Sequence, residues 1–596
     1  MLSPTSLSTA LIGALLAIVS NDSLFVSAQG DNPTFQLHRQ CLCQPTQSCW
    51  PSAADWSALN TAVGGRLIPT KPAAYECHNP NYDPGKCQEI QKGYFFDSWR
   101  HLQPGAVEQT NWELFNNKGC RGFNQTEPCF QGAVPLYTIN ATSVQDVQQA
   151  VRFAAKKNIR LVVKNTGHDY HGRSIGVSSL NIWVHHLKSI AFNDSFVPEG
   201  APKGTPATGA IILDPGVIWR DAYIAADKHN VTVVGAGHAT VGTSGGFCQG
   251  GGHGPLSPRY GLCVDNVLQF KVVTADGKTR TANAYRNKDL FWALRGGGGS
   301  TFGVVVQAIY KTHPPLRNIS YATYRIAFNG TESRRQVYSS FLSQQLSWSK
   351  AGHSGYALIQ KEFLLLYYYL LNSDAAAGQK SFEPFLKDIS AIPGVTVDGT
   401  VTGASSFWES FKAGMPPPEV PNSGTNVLLG SRLIPQSKFE SEAGVKQLSD
   451  TFYDVMEDLD GYLMPQEGLI GTLVAGGQVS KGTSKETSVG PAWRQALFHI
   501  ISPVTWDNSA SPEAVQTLGR KVTSAIERLR EITPGSGAYF NEADHSEPNW
   551  QQSFFGSNYP RLKQVKTKYD PYGVFICHHC VGSEDWNENL TCRHQK

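Results

Sequence analysis

No block of lysine and arginine stands out in this 596-residue chain, and a formal charge of +3 is small for that length. Nucleic acid is therefore not an expected partner. No segment beyond the N-terminus reaches the roughly 18 uninterrupted apolar residues that a membrane-spanning helix needs. The stretch from Glu362 to Leu371 is short and begins with a charge, so no membrane partner is expected either. Internal repeats and low-complexity tracts are missing too. With 40% hydrophobic and 17% charged residues, the composition excludes a disordered chain and a fibre. What is left is an ordinary globular protein, too long for one core and so built of two or more domains.

The chain does have a marked beginning. An apolar run, Leu11 to Val19, precedes a shorter one and then Val26-Ser27-Ala28. That pattern reads as a signal peptide over residues 1–28, although its first residues lack Lys and Arg. A secreted or secretory-lumen protein is the expectation. Of 12 cysteines, seven fall between Cys41 and Cys129, and Cys577, Cys580 and Cys592 lie near the end. Clustered cysteines behind a signal peptide predict disulfides, with pairing left open. Asparagine sequons at Asn124, Asn140, Asn193, Asn230, Asn318, Asn329 and Asn589 predict N-glycosylation.

Residues 29–130 are rich in Cys, Pro, Trp and Gly and read as a stapled extension wrapping a neighbouring domain. Periodicity begins at residue 131. Ser143 can cap a helix with Val144, Val147, Ala150, Val151 and Ala154 at helical spacing. Strands are predicted at Ile159–Val163, Ile211–Leu213, Val231–Val234, Val267–Thr274 and Gly303–Tyr310, and helices at Ile218–Lys228 and Asp289–Leu294. Pro314-Pro315 closes this domain. Residues 316–535 mix strands (Ser320–Ala327, Asn426–Leu433, Gly471–Val479) with helices (Arg334–Ser347, Ser511–Leu529). They read as a separate domain covering a cofactor.

Two stretches carry chemistry. Lys164-Asn165-Thr166-Gly167-His168-Asp169-Tyr170-His171-Gly172 directly follows a strand. Small residues in that position let backbone N–H groups converge on an anion. His168 there either contacts the ligand or is a satisfied histidine in a polar turn, and the local sequence leaves both open. The second stretch, His238 to Gly254, holds seven glycines. Glycine costs conformational entropy and is kept where backbone must approach something closely or take φ > 0. A diphosphate ligand suits that. The stretch is not a Walker A loop, since it lacks the Gly-Lys-Ser/Thr ending, and its spacing does not fit a Rossmann fingerprint. Cys577-His578-His579-Cys580 lacks the further ligands of a closed zinc site; disulfides are the expectation, and no metal is predicted.

In order along the chain, Gly167-His168-Asp169-Tyr170, Thr240-Val241-Gly242, Gly250-Gly251-Gly252-His253-Gly254, Tyr260-Gly261-Leu262 and Phe302-Gly303-Val304-Val305 resemble the FAD-binding domain of the vanillyl-alcohol-oxidase type. Tyr539-Phe540-Asn541-Glu542-Ala543-Asp544 and Lys568-Tyr569-Asp570-Pro571 resemble the end of berberine-bridge-like enzymes, and Cys41-Leu42-Cys43 with Cys49-Trp50-Pro51 resembles fungal secreted isoamyl-alcohol-oxidase-like members. This resemblance implies an α+β, two-lobed flavoprotein. A PCMH-type FAD-binding domain would span residues 131–315, a sheet-plus-helices cap would span 316–535, and residues 536–596 would return to the first lobe. It implies FAD held covalently by His168. The diphosphate would lie along Asn165, Thr166, Gly167, Asp169 and Tyr170 and along Thr240, Val241, Gly242, Thr243, Gly245 and Gly246. Gly303, Val304 and Val305 would lie along the isoalloxazine edge, with Tyr539 and Asn541 beside the ring. Many relatives have a second, cysteinyl link just before the Thr-Val-Gly; this chain has His238 there, so a single bond is predicted. Cys248, ten residues further on, reads as a buried thiol or a disulfide partner of Cys263 rather than a substitute link.

The implied activity is oxidation of an alcohol by hydride transfer to flavin, with O₂ as acceptor. Carbohydrate oxidation and a flavin carrier without turnover are the alternatives. Tyr170 is the first candidate for a group at the reacting carbon. The base is expected on the cap strand Gly471–Ser480, where no carboxylate is in register and Gln478 cannot serve.

Overall fold

Residues 40–414, 421–464 and 468–594 are described by the computed structural model; the expected signal peptide lies outside them. The first lobe carries two sheets. β1 (Leu67–Pro69), β2 (Tyr137–Asn140), β3 (Leu161–Lys164) and β4 (Leu180–Trp183) form a four-stranded sheet in the order β1-β2-β4-β3. β2, β4 and β3 run parallel, and β1 joins antiparallel. The Cys-rich extension thus supplies a strand as well as a wrapping.

The crossover from β2 to β3 is the helix Val144–Lys157. Ser143 caps it in a reciprocal capping box with Asp146, and it ends at Asn158 in the left-handed region (φ 51°). Val147, Ala150, Val151 and Ala154 repeat at helical spacing and are buried, sharing a core with Trp56, Leu59, Leu161 and Ile182.

β5 (Ile190–Phe196), β6 (Thr208–Leu213), β7 (Val267–Val273), β8 (Thr279–Asn283) and β9 (Val304–Lys311) form an antiparallel sheet ordered β5-β6-β9-β7-β8. Val231–Val234 is not a strand there. Both neighbours of β6 are already taken, and the segment keeps only a bridge from Thr232 to His313. Val233 and Val234 are nonetheless buried, which is why the apolar run misleads.

The second lobe is one antiparallel sheet of seven strands: β10 (Ile319–Phe328), β11 (His353–Ile359), β12 (Phe363–Leu371), β13 (Val395–Ala404), β14 (Asn426–Pro435), β15 (Leu469–Leu473) and β16 (Ala496–Trp506). Their order is β13-β10-β12-β11-β15-β16-β14. Helices Thr331–Lys350, Ala375–Ser390, Glu442–Asp458 and Pro512–Ile532 share a core with one face, where Leu364, Leu366 and Leu370 of β12 meet Phe498, Ile500 and Val504 of β16. Side chains of a strand alternate between faces. The other face therefore presents Tyr356 of β11, Tyr369 of β12 and His499 and Ile501 of β16, the tyrosines packing into or against the first lobe's core.

The predicted strand Gly471–Val479 ends early. Gly476 and Gly477 take left-handed φ values of 76° and 51°, and a Cβ on Gly477 would sit 2.2 Å from the Pro258 carbonyl oxygen. The chain turns there, and Gln478 is exposed.

Residues 538–582 return to the first lobe, with Phe575 bridging to Leu161 and Lys566 Nζ donating to the Thr301 carbonyl at 2.7 Å. Disulfides join Cys41–Cys592, Cys43–Cys49, Cys77–Cys87, Cys120–Cys129 and Cys577–Cys580. Cys248 and Cys263 are buried free thiols, which settles the alternative left open for Cys248. Six of the sequon asparagines are exposed; Asn140 is half-buried in β2 with its carboxamide oxygen enclosed.

Candidate cofactor and active site

One cavity of about 300 Å³ is walled by the first lobe and the returning C-terminal segment, with Asn422 from the second lobe. Four segments far apart in sequence supply most of its lining. The loop after β3 supplies Asn165, Thr166, Gly167, His168, Asp169 and Tyr170; the glycine-rich stretch supplies His238, Val241, Gly242, Gly245 and Gly246; the start of β9 supplies Gly303, Val304 and Val305; and the returning C-terminal segment supplies Tyr539, Asn541 and Glu542. Thr240 and Thr243, the other two predicted residues, stand behind this wall. Thr243 is fully buried, and its carbonyl accepts from Tyr310 at 2.7 Å.

Six of the seven glycines divide by purpose. A Cβ on Gly246 would meet nothing within 4 Å, and one on Gly245 would meet only Asn165 at 3.4 Å. These two leave backbone open to the cavity. Gly242, Gly250, Gly252 and Gly254 are instead pressed against Asn165, Asn541, Cys263 and the Gly235 carbonyl, with Cβ clearances of 1.9 to 2.6 Å. Most of the glycine is thus needed for the chain to pack on itself. Asn541 shows this directly: its amide donates to the Gly246 carbonyl at 3.0 Å and to Tyr539 Oη at 2.7 Å. Asp169 likewise spends its carboxylate on the turn, accepting from His171 N and Ser174 N. Tyr170 packs against Val427, Leu429 and Ile501 of the second-lobe sheet.

His168 sits in a polar chain contributed largely by residues without a sequence signature. Its Nε2 lies 2.8 Å from Thr240 Oγ1, and Thr240 donates to Asp97 Oδ2 at 2.5 Å. With the hydroxyl proton committed to Asp97, Thr240 can only accept from the imidazole. The proton of His168 is therefore assigned to Nε2, and Nδ1 keeps its lone pair. His238 fits the same pattern, with Nδ1 3.3 Å from Thr240 Oγ1 and Nε2 3.4 Å from the Asn422 amide, which also donates to Asp97 at 3.2 Å.

Burial pushes His238 down to about 4 and also lowers His168, against the opposing charge of Asp97. Both rings are neutral at neutral pH. Burial would raise Asp97, but the neighbouring histidines and the hydrogen bonds from Thr240 and Asn422 outweigh it and hold the carboxyl below its usual range. With the imidazoles neutral, the hydrogen bonds carry that effect. Glu108 Oε1 lies 3.9 Å from His168 Nε2 with no hydrogen-bond partner, and burial, then the Asp97 charge, pushes Glu108 up to about 7.

The segment that holds Asp97 and Glu108 is braced by a buried ion pair. Arg100 binds Glu113, the Val107 carbonyl at 2.6 Å and the Tyr94 carbonyl at 3.3 Å. Removing one partner of such a pair costs about 3–5 kcal/mol.

The expected active-site strand does not reach this cavity; Gln478 is not among its lining residues. The adjacent strand β16 approaches instead and places His499 3.7 Å from Glu542. Asp97, Glu108 and Asn422 were invisible to motif reading. Glu542 and His253 lay inside motifs already singled out, but nothing local marked them as partners.

The cavity suits a long cofactor: open backbone at Gly245 and Gly246, an imidazole with a free lone pair, and unpartnered buried oxygens of Asn165 and Gln249 on its wall. Comparison with known proteins points the same way. The family described as FAD binding domain matches residues 135–283, and that described as Berberine and berberine like matches residues 538–582. An FAD-linked oxidoreductase of Arthroderma benhamiae is 39% identical over 570 residues, 93% of this chain and 96% of its own. The crystal structure of VAO-type flavoprotein MtVAO615 from Myceliophthora thermophila C1 is 33% identical, with a TM-score of 0.84 over 93% of this chain and 100% of the other. A glucooligosaccharide oxidase from Acremonium strictum, described with 6-S-cysteinyl, 8α-N1-histidyl FAD, shares 19% identity and a TM-score of 0.62 over 75% of this chain and 92% of its own, a likeness of fold.

Proposed function

This chain belongs to the FAD-linked oxidoreductases, in the berberine-bridge-like branch of the vanillyl-alcohol-oxidase superfamily, and we propose that it is a secreted oxidase of alcohols that holds FAD by one bond from His168 and passes electrons to O₂. The observation that carries the attachment is the Asp97–Thr240–His168 chain, which leaves Nδ1 of His168 as a nucleophile at the cavity wall. The single bond is supported by the wall itself: among the described residues no cysteine lines the cavity.

Bound FAD would supply the hydride acceptor. The protein would supply the backbone of residues 165–169 and 241–246 to hold it, and Tyr539 and Asn541 to fix the loop against it. Tyr170 and its neighbours Val427, Leu429 and Ile501 form an apolar flank, which favours an aliphatic or aromatic alcohol over a sugar. The six exposed sequons and five disulfides fit an extracellular enzyme.

Acid precipitation followed by visible spectroscopy tests the attachment. Yellow colour should stay with the pellet in the wild type and leave it in His168→Ala. Free flavin in the wild-type supernatant would refute the covalent bond. Peroxide release across alcohols and oligosaccharides tests the activity. A response to sugars alone would give the carbohydrate reading, and no flavin bleaching with either would leave a flavin carrier.

A further inference from the structure

Three ionisable side chains from three segments meet at the cavity wall. His253 comes from the glycine-rich stretch, His499 from β16 and Glu542 from the returning C-terminal segment. Glu542 Oε2 lies 3.2 Å from His253 Nε2 and 3.7 Å from His499 Nδ1. The carboxylate is 22% exposed and lines the cavity, while His253 and His499 are 8% and 0% exposed behind it. His253 Nδ1 and both ring nitrogens of His499 are buried without a hydrogen-bond partner. Burying such atoms without a partner is unfavourable, so packing stability does not explain the cluster. The rings of Trp493 and Tyr539 box it in, at 5.2 to 6.1 Å from the imidazoles or from each other.

We infer that Glu542 is the catalytic residue that takes the substrate hydroxyl proton, with His253 and His499 as positioning residues that aim its carboxylate into the cavity. The inference rests on the alcohol-oxidising reading above. It also accounts for the missing carboxylate on the second-lobe sheet: β16 supplies a buried histidine behind the wall, and the acid that lines the cavity comes from the C-terminal segment.

The O–H bond of the alcohol breaks and its proton passes to a Glu542 oxygen. Bound FAD would accept the C–H hydrogen with its electron pair, leaving the carbon–oxygen double bond of the oxidised product. O₂ then takes up the two electrons and two protons, including the one on Glu542, as hydrogen peroxide.

The charges around the carboxylate suit this role. Its titratable neighbours are His253, His499, Tyr356 and Tyr539. Burial would raise Glu542, but His253, by charge and hydrogen bond, and then His499 outweigh it and hold the acid below its usual range. Burial drives His499 down to about 3, so it stays neutral and His253 is the effective donor. The acceptor is therefore ionised through mildly acidic pH, and the rate should fall only below about pH 4.5, the ordinary carboxylate value.

Glu542→Gln keeps shape and removes the acceptor. The full-length flavoprotein carrying it should retain the wild-type flavin content and lose anaerobic flavin reduction by alcohol about 10²–10⁴-fold. A second reading does not need turnover: the acid titration of the visible flavin spectrum should show a step in the wild type that E542Q lacks. In His253→Gln that step should move to higher pH. Equal reduction rates in E542Q and wild type, or an unchanged titration step, would overturn the assignment. Activity lost in EDTA and restored by zinc would overturn it as well. If no alcohol reduces the wild-type flavin, the alcohol reading fails on its own account, and the spectral titration still decides whether Glu542 is the group that titrates beside the flavin.

Discussion

The polar chain behind His168 makes a specific demand on acidity. Asp97 is a buried carboxyl held below its usual value of 3.8. A group depressed in the folded state contributes stability above its unfolded value and loses it as pH falls through the folded one. Asp97→Asn should therefore be less stable than wild type at pH 6, with the gap in urea midpoint closing as pH is lowered below about 4. A gap that is constant with pH would show that the carboxyl does not titrate differently in the folded state. At this scale the sequence was informative about His168 and the glycines, because loops after strands have local signatures. It was silent on Asp97, Glu108 and Asn422. They reach the site from the Cys-rich extension and from the segment just before β14, about 60 to 250 residues from His168, and only the fold brings them there.

Among the elements, the start and the buried face of the helix Val144–Lys157 were legible because capping and periodicity agree. Its capping box is also tied to the extension, since Arg66 pairs with Asp146 at 2.5 Å. Ser143→Ala should cost about 1 kcal/mol, read as faster amide exchange in the first turn of this helix with the visible flavin spectrum unchanged. Exchange at the wild-type rate would argue that Arg66 and Asp146 hold the turn alone. The strands of the second lobe were harder. β12 is buried on one face and half-buried to buried on the other, so Phe363–Leu371 shows an unbroken apolar run in place of alternation. The predicted strand runs past the end of the short β15, because Gly476-Gly477 turns the chain at a close approach to Pro258.

For the whole molecule, two lobes and a returning C-terminal segment could be anticipated from the order of motifs, but the cysteine pairing could not. Spacing alone does not distinguish the partners of Cys41, and the structure joins it to Cys592, 551 residues away. Because that bond links the two ends of the described chain, residues 41–592 form a covalent ring. A ring cut once stays in one piece. A single protease nick in a surface loop should leave the apparent mass of this protein nearly unchanged under non-reducing denaturation, and fragments should separate only after reduction. In Cys41→Ser/Cys592→Ser, a nick outside the four short disulfide loops should release them without reductant. Fragments from the nicked wild type under non-reducing conditions would show that the ring is open. If the chain is secreted as proposed, it would thereby tolerate a first cut by an extracellular protease, its pieces kept at intramolecular concentration and able to refold around the flavin.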